Sequence, residues 1–479
     1  MNYVLFNRKK TARWAKFVPA LLPTLILALL LVACGGDVVT ATPAPATSTT
    51  GNTIQPVPAT TQEADPIHAP TPAVTFPNQP AATATTTPKI TPGGYGPLPT
   101  PPSTLNPTTT PFQAAPNQTL PKDSLVVGTS TGLYLVNPKD GAAALIAGKA
   151  GFSDPKIAPD GTRIAAFRQD PISRLSQLVV VDLAGNTKPV NLDSGGVVLA
   201  ASWSPDGKTL ALTRATDTNS DGLADEFDQT TLVLYDVATG KQQSLGEGGW
   251  ASWSPDGVRL VYIIPGPFGT TLDPTTRQLE RGPNALAVYN VTNKGKKTLL
   301  ESKGQALGLA NAGFAPIPPD QKLDLRYFKA VTWHPDSTHI TASADLTGPN
   351  GLRAGVVLTL TLDDSTPRVL TAAGDAAGRV TWAPDGKELA FETQPQYPVT
   401  AKSANQVAVV DDISLDNSFP VKTLLGQAAT RSETRRPAWS PDSQELAYLG
   451  SDAGILFVAD ASGQQARSLL AGCLGFDWF

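Results

Sequence analysis

A short turn peptide recurs along this chain, and it restricts the fold more than any other feature of the sequence. Its six copies are APDG at 158–161, ASWSPDG at 201–207 and 251–257, TWHPDS at 332–337, TWAPDG at 381–386 and AWSPDS at 438–443. Each copy is followed by a short apolar segment, such as LALTR or LVYII. Self-similarity at intervals of tens of residues indicates a repeat architecture. The chain is therefore expected to stack six or more copies of one small unit.

The second unit predicts four short strands. VVLAASW is an apolar strand, SPDG is a turn, and TLALT, TTLVLYDV and KQQSLG supply three more strands. In the turn, Pro205 presets φ, Asp206 can bond the local backbone, and Gly207 tolerates a positive φ. Four antiparallel strands in a unit of about 50 residues are typical of a β-propeller blade. A tryptophan that ends the first strand is expected to pack between blades. That slot holds Trp203, Trp253, Trp333, Trp382 and Trp439.

The recurring WSPDG unit resembles the TolB-like, WD-type β-propeller repeat, and the resemblance covers residues 121–479. It implies an all-β propeller in which the repeat residues build the scaffold and say little about function. The sequence departs from the propeller protein of the Tol system, since no compact α/β domain is evident ahead of the blades. The partners of that protein are therefore not carried over to this chain.

The two ends of the repeat region predict the number of blades. Residues 125–148 contain three strands without a leading one, and Trp478 lies where the repeat tryptophan belongs, without a following SPDG. The C-terminal strand is therefore expected to complete the N-terminal blade, because ring closure leaves no strand edge unpaired. This gives seven blades. The alternative is six blades, with both terminal segments outside the ring.

Residues 1–33 have the organisation of an export signal. A basic segment with Arg8, Lys9, Lys10, Arg13 and Lys16 precedes the apolar run 17–33, which ends at LVA-Cys34-GG. This resembles the bacterial lipoprotein signal, in which the cysteine is lipidated, with palmitate among its acyl chains, and becomes the mature N-terminus. Cys34 is thus the expected lipid attachment site on an extracytoplasmic protein of the cell envelope. An uncleaved membrane anchor is the alternative.

Residues 34–120 follow as a linker rich in Thr, Pro and Ala. Segment 37–120 holds 18 Pro and 21 Thr, a composition that buries too little apolar surface to offset its ordering entropy and predicts a disordered stalk. Signal and stalk hold six of the 37 Lys and Arg and three of the 41 Asp and Glu, so the remainder carries a net charge of −7. That charge argues against a nucleic-acid partner.

Cys473 is expected to be a small buried apolar residue.

Unequal connections predict one embellished face of the ring. The connections between the second and third strands are long at 214–229, 265–282, 346–354 and 394–405, and the approach to the fourth unit at 301–326 is also long. In a four-stranded antiparallel blade these second-to-third connections emerge opposite the SPDG turns. Long loops on a rigid scaffold often carry binding sites, although neutral length drift on a tolerant surface is the alternative.

The long connection of the second unit contains a calcium-type spacing. Segment 217–228 reads DTNSDGLADEFD, with oxygen donors at positions 1, 3, 5, 9 and 12 and Gly222 at position 6, where a sharp turn is needed. The predicted ligands are Asp217, Asn219, Asp221, the carbonyl of Leu223, Asp225 through water, and Asp228. The loop resembles the DxDxDG loops of dockerin and thrombospondin type-3 segments, but it departs from the EF-hand with Ala224 at position 8 and Asp at position 12. The alternative is a solvated acidic loop.

Enzymatic motifs are weak in this sequence. Segment 128–132 fits GxSxG, but it lies between two predicted strands and is better interpreted as a hairpin turn than as a hydrolase elbow. The favoured hypothesis is a non-catalytic scaffold that binds an envelope protein, a peptide or a polysaccharide. The alternative is a glycan-active hydrolase or lyase, which would need paired carboxylates at the channel mouth.

Overall fold

The computed structural model describes residues 111–112, 118–170, 176–218, 220, 222–226, 228–272, 279–308, 322–348, 353–371, 376–393, 406–410, 422–425, 434–450, 454–463 and 466–479. All regular structure in these residues is β-strand, as predicted. This part of the chain contains no helix of the length and apolarity that a membrane span requires. The predicted signal at 1–33, Cys34 and nearly all of the predicted stalk lie outside the described residues.

The strands form blades that we number by the repeat unit. The first three strands are β1 Leu125–Thr129, β2 Gly132–Val136 and β3 Ala143–Gly148. Blade 1 contains β4 Gly151–Ile157, β5 Arg163–Gln169, β6 Ser176–Asp182 and β7 Thr187–Pro189. Blade 2 contains β8 Val197–Trp203, β9 Thr209–Thr216, β10 Gln229–Asp236 and β11 Gln242–Glu247. Blade 3 contains β12 Gly249–Trp253, β13 Arg259–Ile264, the added strands β14 Phe268–Leu272 and β15 Leu279–Arg281, β16 Ala285–Asn290 and β17 Lys296–Glu301.

The remaining strands complete the set. Blade 4 contains β18 Ala306–Gly308, β19 Lys322–Trp333, β20 His339–Thr347, β21 Arg353–Thr361 and β22 Arg368–Val369. Blade 5 contains β23 Ala376–Trp382, β24 Leu389–Thr393, β25 Gln406–Val410 and β26 Lys422–Leu425. Blade 6 contains β27 Thr434–Trp439, β28 Glu445–Gly450, β29 Ile455–Asp460 and β30 Arg467–Leu470, and the last strand is β31 Cys473–Trp478.

The C-terminal strand closes the ring. Strand β31 pairs antiparallel with β1, with Leu125 opposite Trp478 and Gly128 opposite Gly475, so blade 7 has the order β3-β2-β1-β31. The first strands of successive blades contact each other in the order β31, β4, β8, β12, β19, β23, β27 and back to β31. The predicted seven-bladed propeller is confirmed, and the six-bladed alternative is wrong because both terminal segments pair within one blade.

The SPDG turns work as the sequence predicts. In blade 2, the Ser204 Oγ–H donates to Asp206 Oδ1 (2.6 Å), and the N–H of Lys208 donates to the same oxygen (3.1 Å). Gly207 has a φ of 67°, a conformation that glycine adopts without steric cost. Its N–H donates to Ser204 O (2.8 Å) and completes the turn. These turns all lie on one side of the ring, which we call the turn face.

The repeat tryptophans join neighbouring blades through hydrogen bonds as well as through packing. Trp203 is buried, and its indole N–H donates to Lys156 O on blade 1 (2.9 Å). The indole of Trp253 donates in the same way to Ser202 O on blade 2 (3.2 Å). An apolar ring that also satisfies its polar N–H is stable at such a junction. Each tryptophan therefore fixes its blade against the preceding one.

Two insertions carry strands that the sequence analysis left as loops. The predicted connection 265–282 contains the antiparallel hairpin of β14 and β15. The predicted connection 301–326 contains β18, which pairs with the early part of β19 and gives blade 4 a fifth strand. A lengthened first strand leaves backbone groups without partners unless another strand pairs with them. The second-to-third connections lie opposite the turn face, on what we call the loop face.

Candidate functional site

The predicted calcium loop begins and ends at the end of a strand pair. Thr216 of β9 lies opposite Gln229 of β10 in the register. Asp217 and Asp228 are therefore the first residues beyond the paired strands, one on each side of the loop. This geometry brings the first and last residues of the 217–228 segment together, as a loop that wraps around one centre requires.

The carboxylate of Asp217 organises the first half of the loop. Its Oδ1 accepts the N–H of Ser220 (2.7 Å) and its Oδ2 accepts the N–H of Gly222 (3.0 Å). Gly222 has a φ of 86°, so it makes the sharp turn expected of it. Each Asp217 oxygen has accepted one hydrogen bond, and a carboxylate oxygen has lone pairs for two. Asp217 is exposed, so its remaining lone pairs are accessible to a cation.

The carboxylate of Asp228 anchors the second half. Asp228 is buried, its Oδ1 accepts the N–H (2.8 Å) and Oγ–H (3.1 Å) of Thr218, and its Oδ2 accepts the N–H of Asp225 (3.0 Å). This side chain therefore holds the loop closed across its neck. Leu223 is exposed, and the predicted ligands Asn219 and Asp221 lie outside the described residues. In the described part of the loop, Gly222 makes the predicted turn and the carboxylates of Asp217 and Asp228 accept backbone N–H groups, while calcium binding by this loop stays a prediction.

A second group of charged residues lies at the middle of the ring. Arg379 of blade 5 and Arg436 of blade 6 both donate from a guanidinium nitrogen to Asp154 Oδ1 of blade 1, at 3.3 and 3.1 Å. Blade 7 lies between blade 6 and blade 1. The two arginines can therefore reach Asp154 only across the central channel. Burial alone would raise the pKa of Asp154, but nearby Arg379, Lys156 and Arg436 more than offset this effect and hold it well below its usual range.

A buried carboxylate holds the two arginines in position. Glu392 of β24 is buried, its Oε1 accepts the N–H of Arg436 (2.8 Å), and its Oε2 accepts the N–H of Arg379 (3.2 Å). The first strands β23 and β27 have register irregularities at these residues, where their own ladder bonds are interrupted. Glu392 replaces those bonds, so one side chain fixes two neighbouring blades.

Another carboxylate near the same channel has a different environment. Asp477 of β31 accepts the N–H of Ile157 (2.8 Å), and Lys156 Nζ lies 3.8 Å from its Oδ1. Burial raises the pKa of Asp477, Lys156 partly offsets this effect, and the negative charge of Asp154 adds to the rise. The channel thus contains two electrostatically coupled carboxylates whose pKa values are shifted in opposite directions.

The sequence analysis missed this channel cluster, although the repeat contains its signal. Asp154, Arg379 and Arg436 all occupy the position three residues before the tryptophan slot. The same position holds Ala200, Trp250, Ala330 and Gly475 in the other blades. This position is small or aromatic in four blades and charged in three. The three charged residues are the ones that line the channel. Only ring closure shows that the three charges meet.

The other motifs and residues that the sequence singled out lie within the propeller scaffold. Segment 128–132 forms the hairpin turn between β1 and β2, where Gly128 lies opposite Leu133, so the hairpin interpretation of GxSxG is confirmed. His334 lies in the repeat turn of blade 4, as predicted. Cys473 is buried, and burial raises the pKa of its thiol to about 12, as expected for an inert apolar thiol.

Known structures with this architecture are other β-propellers. The chain is similar to TolB from Acinetobacter baumannii, at 18% identity and a TM-score of 0.42, over 66% of this chain and 66% of that one. It is similar to putative TolB from Agrobacterium tumefaciens, at 15% identity and a TM-score of 0.39, over 67% of this chain and 95% of that one. A third similar structure is the acylaminoacyl peptidase of Pyrococcus horikoshii, at 12% identity and a TM-score of 0.43, over 68% of this chain and 46% of that one.

No protein-family model matches the chain, and no curated protein matches its sequence. The fold and the ring closure define it as a seven-bladed β-propeller protein, and TolB is among the structures it is similar to, as the repeat motif indicates.

Proposed function

We propose that this chain is an extracytoplasmic lipoprotein whose propeller binds a partner without catalysing a reaction. The observation that carries the proposal is the asymmetry of the closed ring. The turn face repeats one tight hydrogen-bonded turn from blade to blade, whereas the loop face carries the β14–β15 hairpin and the 217–228 loop. Binding residues tend to lie on loops that a rigid scaffold positions. The partner is an envelope protein, a peptide or a polysaccharide, and the chain's acidic balance disfavours nucleic acid.

The position of the binding surface is tested by photo-crosslinking in cells. A photoreactive amino acid is placed at Leu223, which is exposed on the loop face of blade 2, or at Lys208, which lies in the turn of the same blade. We expect the Leu223 probe to trap a partner and the Lys208 probe to trap little. Equal trapping at the two positions, or trapping at Lys208 alone, contradicts a loop-face site. Mass spectrometry of the adduct distinguishes a protein from a glycan.

Membrane attachment through Cys34 is the second part of the proposal. It is supported by the basic segment, the apolar run and the small residue before Cys34. Metabolic labelling with palmitate is expected to label the wild-type chain and not a Cys34→Ala variant, which should also leave the membrane fraction. A wild-type chain that is membrane-bound but unlabelled would instead support an uncleaved anchor.

Calcium in the 217–228 loop is the third part. Asp217, Asn219, Asp221, the carbonyl of Leu223, Asp225 and Asp228 would hold the ion and stiffen the loop face. Ligand at about 100 times Kd stabilises a fold by about 2.7 kcal/mol, which corresponds to a rise in Tm of roughly 5 °C. We expect this rise with added Ca²⁺. It should be absent in the double variant Asp217→Ala/Asp221→Ala. It should be retained in the control Asp193→Ala, which removes an exposed carboxylate outside the loop. A rise in the double variant as well removes the site.

A glycan-active hydrolase is the competing proposal, and Asp154 and Asp477 are what favour it. Carboxylates with oppositely shifted pKa values are the arrangement that general acid–base chemistry uses. Against this, Asp154 accepts hydrogen bonds from two guanidiniums. Asp477 accepts a backbone N–H and forms an ion pair with Lys156 at 3.8 Å. We expect no turnover of cell-wall or capsular glycans by the wild-type chain. Turnover that is lost in both Asp154→Asn and Asp477→Asn would establish the hydrolase instead.

A further inference from the structure

One of the six repeat turns has a different chemical composition from the rest. The turn of blade 4 reads His334-Pro-Asp336-Ser-Thr-His339, with histidine where other turns have Ser204, Ser254 or Ser440. One potential ligand atom from each of His334, Asp336 and His339 lies within 4.8 Å of the others. The same turn in the other blades shows what the aspartate contacts when no histidine is present.

In four of the other turns the aspartate faces a permanent cation. One oxygen of that aspartate accepts backbone N–H groups, and the other pairs with an Arg or Lys two or three residues later. These pairs are Asp160–Arg163 (3.1 Å), Asp206–Lys208 (3.6 Å), Asp256–Arg259 (3.3 Å) and Asp385–Lys387 (3.3 Å). The turn thus directs one carboxylate oxygen at a nearby positive charge.

In the blade 4 turn, one aspartate oxygen still accepts backbone N–H groups. Histidine side chains take the place of the Arg or Lys that faces the other oxygen. Asp336 Oδ1 accepts the N–H of Thr338 (2.8 Å) and of His339 (3.0 Å). The positions that carry Lys or Arg elsewhere hold Thr338 and His339. Asp336 Oδ2 instead lies 2.6 Å from His339 Nδ1 and 3.1 Å from His334 Nδ1. Two imidazole nitrogens and one carboxylate oxygen therefore converge on one point.

The hydrogen bonds of His334 show which of its two ring nitrogens could bind an ion. Its Nε2 lies 3.1 Å from Gly386 O, a carbonyl that can only accept, so Nε2 carries the hydrogen. Its Nδ1 accepts the N–H of Asp336 (3.2 Å) and so has no hydrogen of its own. An ion that binds here would take over the lone pair that this N–H now occupies. A histidine whose remote nitrogen donates to a backbone carbonyl while the near nitrogen presents a lone pair has the arrangement of a metal ligand. The ring also packs edge-on against Trp382, with centroids 4.6 Å apart, which fixes its plane.

Solvent can reach the three side chains. Their exposed fractions are 12% for His334, 33% for Asp336 and 27% for His339. Zn²⁺ bonds of about 2.0–2.2 Å bring tetrahedral ligand atoms roughly 3.4 Å apart, so small side-chain rotations make room for an ion. The hydrogen that His339 Nδ1 directs at Asp336 Oδ2 (2.6 Å) is released to solvent as a proton when the ion binds. The surrounding backbone bonds to Asp336 Oδ1 stay intact in such a movement.

We propose that His334, Asp336 and His339 form a site for a divalent transition metal, with Zn²⁺ as the ion that fits it best. Two imidazoles and one carboxylate are ligands that Zn²⁺ accepts, and three protein ligands leave a fourth position open. The metal takes the place that Arg or Lys occupies in the other turns. The site lies on the turn face, whereas the proposed calcium loop lies on the loop face, so the two sites are independent.

The site is tested by calorimetric titration of the untagged full chain with Zn²⁺. We expect one equivalent to bind and the affinity to fall at least about tenfold in His339→Gln and in His334→Gln, because each variant removes one ligand. The control His68→Gln alters the remaining histidine of the chain and should bind as the wild type does. Asp217→Ala should also bind Zn²⁺ normally, which separates this site from the calcium proposal.

A second comparison separates ligation from a general effect of the turn. Asp336→Asn and Asp442→Asn make the same change in two repeat turns, and the Asp442 turn contains no histidine. We expect only Asp336→Asn to weaken Zn²⁺ binding. Co²⁺ should give the visible absorption of a four-coordinate nitrogen–oxygen site in the wild type and in Asp442→Asn, but not in Asp336→Asn. Circular dichroism shows whether each variant is folded. Zn²⁺ that fails to bind the wild type, or that binds the folded His339→Gln variant equally well, overturns the proposal.

Discussion

Removing the negative charge of Asp154 should loosen the whole ring, because this residue connects three blades. Its Oδ1 accepts hydrogen bonds from Arg379 and Arg436, and its exposed side-chain fraction is 21%. Asp154→Asn keeps the size of the side chain and an oxygen acceptor. Asparagine also tolerates the φ of 47° at this position. The substitution therefore removes the charge with little change in shape, and the oxygen that both arginines contact can be retained.

The magnitude follows from the partners and their exposure. Breaking a fully buried ion pair costs about 3–5 kcal/mol, and a hydrogen bond to a charged group contributes about 1.5–3 kcal/mol. The guanidiniums here remain 35% and 24% exposed, so water partly compensates for the lost anion. We expect the free energy of unfolding to fall by about 2 kcal/mol and Tm to fall by about 4 °C.

The difference between wild type and variant should depend on pH with a definite sign. The folded-state pKa of Asp154 lies below the ordinary carboxyl value of 3.8, because its three cationic neighbours outweigh the effect of burial. The stabilisation is therefore fully present above the unfolded value and is lost as pH falls through the folded one. The Tm difference should stay constant from neutral pH to about pH 5 and shrink below about pH 4.

Thermal melting across this pH range is the measurement, with Asp160→Asn as the matched control. Asp160 pairs with Arg163 at 3.1 Å, is more exposed than Asp154, and makes its own hydrogen bonds within one turn. An exposed pair of this kind contributes about 0–1 kcal/mol, so the control should change Tm by less than about 2 °C. If the two variants melt at the same temperature, or if the Asp154→Asn difference grows as pH falls, the proposed role of the channel charge is wrong.

Two further predictions concern the closing strand. Phe476→Ala should cost about 3–5 kcal/mol, because this side chain is 5% exposed in the core between blades 6 and 7. Leu474→Ala on the same strand should cost less than about 1 kcal/mol, because Leu474 is 44% exposed. Similar melting temperatures for the two variants would refute the conclusion that β31 closes the ring through its buried face. In a Cys34→Ser chain, Cys473 should resist thiol reagents at pH 8 until the protein unfolds, since burial raises its pKa to about 12. Rapid labelling of the folded chain would show that β31 opens.

The sequence predicted the propeller well because the information is local and repeated. The turn at Ser204, Pro205, Asp206 and Gly207 forms from the bonds that these residue types favour. Six such turns with alternating apolar strands allow few folds other than blades. The closing role of Trp478 was also predictable, because an incomplete unit at each end suggests that the two ends pair.

The candidate sites were predicted only in part. Spacing within one loop is a local property, so the sequence placed Asp217 and Asp228 at the two ends of the 217–228 loop, while their role as calcium ligands stays a prediction. It gave no indication that Asp228 would be buried and bonded to Thr218 and Asp225, because that depends on how the loop folds back. The added strand β18 was missed since its three residues pair only because β19 is extended.

The amino-acid sequence alone determined the repeat, the blade architecture, the blade count and the division into a turn face and a loop face. These follow from short-range turn chemistry and from strand periodicity, which act within a few residues. The tertiary structure decided which charges meet. Asp154 lies 225 residues from Arg379 and 282 from Arg436, and only the closed ring brings them within hydrogen-bond distance. Contacts across a channel depend on the curvature of the whole ring, and no local pattern contains that information.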